Sequence, residues 1–300
     1  MKYALRILAL GKCPEIQISQ ERYDALKESR ERLARAMKFE QAYEILVQNY
    51  FDVEQEILTI TLRNAIYSAY DYGDFLIIRL SLNRKFINFF TTARLYLDHL
   101  KQNVPKSVSA ESNIVEKIHG VTSKEYDDHF EYRFFEALRN HAQHADMSVH
   151  GFTLGSRWTT DDENGLLEFT VDLQAEKSEL IENRKFKRSV LNEMPDRVNL
   201  KPALRVYMES LSRIHCAVRE AARPYVDAAR QTASQTIEEY QKSWSGGITG
   251  LYALMLNEQN VVIDKIPMIL HWDDLRIELV KKNKVLVNLH RRNVSGVSKP

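Results

Sequence analysis

Six consecutive residues, Arg139-Asn140-His141-Ala142-Gln143-His144, bring together the side chains that metal-free cleavage of RNA needs. RNA breaks when a 2′-hydroxyl attacks the adjacent phosphorus. A catalyst must then move protons and steady the charge that grows on the phosphoryl oxygens. Histidine suits the first task because its ordinary pKa lies near 6.5. Arginine suits the second because it is always charged and binds two oxygens at once. Asparagine can orient a phosphate oxygen or an imidazole. The scheme uses no metal and no cofactor. It is restricted to RNA, because DNA has no 2′-hydroxyl.

The local pattern places these residues on a helix, where positions four apart share a face, roughly 40° out of line. Arg133, Glu136, Asn140 and His144 then form a polar stripe at steps of three, four and four. Phe134, Phe135, Leu138, Ala142 and Ala145 form the opposite face and should be core. Arg139 flanks the stripe, and its long side chain can swing to a phosphate. The polar face carries a single histidine, His144. A pair of proton shuttles therefore requires a second copy of the chain, which a two-fold homodimer supplies. The expected catalytic set is Arg139, Asn140 and His144, with no metal ligands. His141 lies between the faces and should pack or hydrogen-bond locally, the alternative being that it assists the site. Glu136 should pair with Arg133 or Asn140, the alternative being that it orients the imidazole. His215 falls on an apolar stripe and reads as a satisfied core histidine. His144, Asp146 and His150 lack the fixed spacing of a metal site.

The run from Glu131 to Leu138, followed by Arg139-Asn140 and His144, resembles the signature of the HEPN superfamily, the higher eukaryotes and prokaryotes nucleotide-binding proteins. In that signature an Arg and a polar residue precede a His by a few positions, late in a helix of an all-α bundle. The resemblance spans about residues 40 to 147 plus one or more later helices. It implies an antiparallel helical bundle and a metal-independent endoribonuclease whose site is shared across a homodimer. Many active members are toxins or antiphage effectors, so it also implies RNA as partner and an antitoxin or regulatory protein as a further one. Some members are inactive scaffolds or binding modules. The alternative is therefore a non-catalytic RNA- or nucleotide-binding protein on the same fold. A third reading makes the polar stripe a dimer seam with no RNA contact. Arg63-Asn64 shows how such a pair looks without the motif, because no His follows within six residues.

Two basic clusters lie elsewhere. Arg184, Lys185, Lys187 and Arg188 surround Phe186, and basic side chains interleaved with an aromatic suit single-stranded RNA. The same pattern also fits a solvated face with Phe186 anchored in the core. Lys281, Lys282 and Lys284 with Arg291 and Arg292 carry the same ambiguity. Phosphate-cradling glycine loops, Gly-flanked nucleophilic serines and cysteine-rich ligand sets are absent from the sequence.

Positioning these groups falls to helices. Apolar residues recur at helical steps from Glu40 to about Tyr72. Gly73 should then stop that helix and Asp74 cap the next. The next, Phe75 to about Gln102, is apolar on several sides and should sit centrally in a bundle. Pro105 ends it. Thr122 or Ser123 should begin the helix that carries the hexapeptide. Alternating residues around Asp161 to Gly165 predict a β-hairpin at about 149–174. A helix at about 201–243 follows, which Pro224 should kink or break.

Trp244-Ser245-Gly246-Gly247 is the clearest boundary, and divides a helical domain, 1–245, from a small mixed α/β module, 246–300. In that module Leu251–Leu256 and Val261–Ile266 predict a hairpin, Asp273 and Asp274 should cap a helix, and Val285–Leu289 reads as a strand. The first ten residues read as a strand or short helix, not a signal peptide. The expected class is thus mainly α: a HEPN-like antiparallel bundle with a β-hairpin insertion and a C-terminal module.

Composition bounds these readings. The 300 residues are 44% hydrophobic and 28% charged, which suits a large core or two domains. A formal net charge of +1 means that RNA must be drawn by a local patch, not by a global field. Two cysteines make no disulfide framework and fit a cytoplasmic protein, and no run of about 18 apolar residues predicts a membrane span.

Overall fold

A computed structural model describes residues 1–9, 12–67, 70–108, 113–161 and 165–294. It is mainly helical, with small antiparallel sheets. Helix α1 runs from Gln20 to Ile66, starting twenty residues before the expected point. The Ser19 hydroxyl caps it by accepting from the Arg22 N–H. Its first half hides its apolar stripe among charges. Glu28–Arg32 and Glu31–Arg35 pair along the surface while Tyr23, Leu26 and Leu33 are buried.

Helix α2, Tyr72–Asn103, starts one residue before Gly73. Asp71 and Asp74 each accept the other's backbone N–H, at 2.9 and 3.0 Å. Asp71 is therefore the cap, and Asp74 completes a reciprocal box. The expectation of a central α2 is corrected as well. Leu82, Phe86, Phe89 and Phe90 are buried, but Ile77, Leu80, Ile87 and Leu95 face solvent. A 3-10 turn at Pro105–Ser107 follows. Helix α3, Ile114–Asp128, passes straight through Gly120 and Thr122. His129 is extended, and the hexapeptide helix α4 is a separate element, Phe130–His144.

The hairpin forms between β3, Gly151–Trp158, and β4, Leu167–Glu176, with Trp158 opposite Leu167. Most of its expected turn, 162–164, lies outside the described residues. A short β5, Arg197–Asn199, adds a third strand to β4. Two short helices lie between, α5 at Lys177–Glu182 and α6 at Arg188–Glu193. Helix α7, Leu200–Ser243, runs unbroken through Pro224. The missing N–H removes one helical hydrogen bond. Burial of Leu204, Met208, Leu211, Val218 and Val226 along the same helix offsets that loss.

Strands β6, Leu251–Leu256, and β7, Val262–Pro267, make the predicted second hairpin. It is not a separate module. Strand β1, Lys2–Ile7, pairs with β6 along its whole length, and β2, Glu15–Gln17, pairs with β1. The order is β2-β1-β6-β7. The boundary expected at 245 fails because the strand that completes the C-terminal hairpin comes from the start of the chain. Helix α8, His271–Lys282, has no side-chain cap. Asp273 and Asp274 in its first turn bind Arg230 instead. Val285–Leu289 is not a strand. Ser212 and Glu209 side chains take the Leu286 and Leu289 N–H groups, and a 3-10 turn, Leu289–Arg291, follows.

The chain divides into two compact units. Unit 1 comprises residues 1–42, 98–118 and 217–284, and unit 2 the rest. The core of unit 1 includes Leu5, Tyr23, Leu26, Tyr240, Leu251 and Ile266. Aromatic packing dominates unit 2. Phe135 stacks on Tyr207 at 5.2 Å, and Tyr43 stacks on His215 at 3.8 Å. His215 is fully buried and bonded to the Tyr96 hydroxyl, as expected of a core histidine. Among the described residues no helix is long and apolar enough to cross a membrane.

Candidate functional site

Helix α4 is set by its buried face. Phe134, Phe135 and Leu138 are fully buried, which fixes the rotation of the helix about its axis. That rotation turns Arg133, Glu136, Asn140 and His144 toward one cleft of about 390 Å³ in unit 2, so the whole polar stripe lines it. The buried face is shorter than expected. Ala142 is half-buried and Ala145 is exposed, because the helix ends at His144.

The opposite wall comes from the turn between α5 and α6. Phe186 is buried against the edge of His141, with ring centres 6.1 Å apart, and Lys185 and Lys187 line the cleft on either side of it. Phe186 is therefore anchored in the core, and two of the cluster's lysines reach the cleft. Arg184 and Arg188 are exposed but do not line the cleft. Lys187 donates to the Tyr126 hydroxyl and lies 4.7 Å from that ring's centre.

Asn183 ties the two walls together. Its Oδ1 accepts the Lys185 backbone N–H at 3.0 Å, which turns its Nδ2 toward His141 Nδ1, 2.9 Å away. His141 Nδ1 is then an acceptor, and the ring proton sits on Nε2. His150, ring centre 6.0 Å away, accepts the Glu176 N–H at its own Nδ1. Burial, reinforced for His141 by its neighbour His150, pushes both imidazoles below the ordinary histidine value. Both are neutral near pH 7. His144, by contrast, is exposed at the cleft.

Arg139 does not flank the polar face. Its side chain is only 10% exposed. It donates to Gln143 at 3.2 Å and lies 3.9 Å from Glu136, and its Nε has no hydrogen-bond partner among the described residues. Glu136 pairs with neither Arg133 nor Asn140. It accepts from the Tyr207 hydroxyl at 2.8 Å, and burial beside that carboxylate raises the tyrosine well above its usual value. Arg133 instead binds Glu193 at 2.7 Å and the Tyr126 and Asp127 carbonyls. Of the expected residues, the fold gathers Asn140, His144, Lys185 and Lys187, and sets Arg139, Arg184 and Arg188 outside. Tyr126, Asn183 and Tyr207 were not singled out in the sequence. They carry no local motif; Tyr126 and Asn183 line the cleft, and buried Tyr207 meets it through Glu136.

Among the described residues no group of three or more His, Cys, Asp or Glu side chains is arranged to hold a metal ion. Comparison with family models, with curated proteins and with solved structures gave no match to the chain.

Proposed function

We propose that the protein is a metal-independent endoribonuclease of the HEPN kind that works at the α4 cleft. The observation that carries this reading is the convergence of Asn140, His144, Lys185 and Lys187 on one cleft. A single nucleotide fits its volume. Lys185 and Lys187 bind the phosphate backbone, Asn140 orients the scissile phosphate, and exposed His144 exchanges the proton. The products are a 2′,3′-cyclic phosphate and a 5′-hydroxyl. One such histidine per cleft keeps the requirement for a homodimer, in which two His144 side chains share one site.

Burial of Arg139 favours the second reading, a non-catalytic RNA-binding module, because the expected phosphate clamp is turned inward. The two part on one experiment. Wild type and His144→Ala are incubated with single-stranded RNA in EDTA, beside a substrate with 2′-deoxyribose at the scissile position. Cleavage that survives EDTA, needs the 2′-hydroxyl and falls about 10²-fold or more in the variant supports the nuclease. Saturable binding without cleavage supports the module. In both cases changing Lys185 and Lys187 to Met should flatten the salt dependence of binding by about 1.4, at about 0.7 per phosphate contact. An unchanged slope moves the RNA path off this cleft.

A further inference from the structure

Unit 1 holds a separate cavity of about 330 Å³, with walls from α1, the 3-10 turn that follows α2, α7 and α8. Its apolar surface includes Phe39, Val104, Ala222, Val226, Ile277 and Val280, with charged side chains among them. Its volume lies within the range of small-molecule pockets. On α7 the lining runs from Arg219 to Arg230, about 16 Å of helix at 1.5 Å per residue. The space is therefore long as well as apolar.

Five cationic side chains line this cavity, and each already faces a carboxylate. Glu40 holds Arg219 through contacts of 2.8 and 2.6 Å, and Asp273 holds Arg230 at 2.5 Å and Arg276 at 2.6 Å. At the mouth Arg223 pairs with Glu220 and Lys281 with Glu278. The buried pairs fix the walls in place. An anionic ligand finds no unspent cation there and loses its water, and exposed Asp227 in the lining adds a like charge. An uncharged one meets no such cost. A backbone acceptor is also available. Glu220 lines the cavity, and Pro224 has no N–H to donate to the Glu220 carbonyl.

We propose that this cavity binds a neutral molecule with an extended aliphatic chain and a single hydrogen-bond-donating head. The chain lies along α7, and the head reaches the mouth beside Glu220 and Arg223. The site is independent of the α4 cleft and of the nuclease reading.

The test is a calorimetric titration of the full chain with 1-decanol and with decanoate at pH 7.5, which share a chain and differ in charge. Decanol should bind one to one with a negative heat-capacity change. Decanoate should bind at least tenfold more weakly. Ala222→Phe fills the cavity and should weaken decanol binding tenfold or more while circular dichroism stays native. Should that variant not fold, Ile277→Asn, on the half-exposed wall, makes the same test by placing an amide in the apolar lining. Three results would overturn the proposal: no saturable decanol binding to wild type, decanoate binding as tightly as decanol, or undiminished decanol binding in a folded variant.

Discussion

Two residues of one motif have opposite surroundings, and their substitutions should separate accordingly. His144 is exposed at the end of α4, so His144→Ala should leave the unfolding midpoint unchanged while cleavage drops by about 10²-fold. Arg139 is nine-tenths buried, so Arg139→Ala should cost about 1–3 kcal/mol in denaturant titrations, by emptying its site and leaving Glu136 with Tyr207 alone. Equal midpoints for the two variants would contradict the burial. The paired imidazoles His141 and His150 set a pH dependence. Both are held below the ordinary value of 6.5, so the unfolded chain binds more protons than the folded one as pH falls past that value. Stability is full above about pH 6.5 and declines below it until the folded-state values are passed. His141→Gln should make stability flatter across pH 7 to 5, followed by thermal melts at each pH.

At the scale of elements, α7 is the least expected. A proline in mid-helix should break it, yet the helix continues unbroken, with apolar residues buried before and after Pro224. Pro224→Ala restores a donor to the Glu220 carbonyl and should stabilise the protein by up to about 3 kcal/mol, read from the denaturant midpoint. A destabilised variant would mean that the ring packs where the helix needs it. The short turn between α5 and α6 matters differently. Its two lysines reach the cleft because Phe186 is anchored in the core and Asn183 is bonded to His141. A basic cluster on an unanchored turn would be only a solvated face.

At the scale of the whole chain, β1 and β6 lie about 250 residues apart in sequence and pair in register from Lys2↔Leu256 to Ile7↔Leu251. A fragment ending at residue 245 therefore loses three elements of unit 1 and exposes an edge of β1. It should aggregate or melt without cooperativity, while the full chain melts cooperatively, by circular dichroism and light scattering. A soluble, cooperatively folded 1–245 fragment would restore the boundary at Trp244.

Local physics was legible in the sequence. Periodicity gave the helical class, the Asn-rich and Asn-Gly turns gave both hairpins, and the three-four-four spacing from Arg133 to His144 put the polar stripe on one face, because each depends on neighbours within a few residues. The tertiary structure decided the rest. Whether Arg139 faces water or the core depends on the rotation of α4, which Phe134, Phe135 and Tyr207 set from across unit 2. Which lysines line the cleft with His144 depends on Asn183 meeting His141, 42 residues away. The last sheet depends on a strand from the other end of the chain. Such contacts join residues that share no local pattern, so only packing the whole chain reveals them.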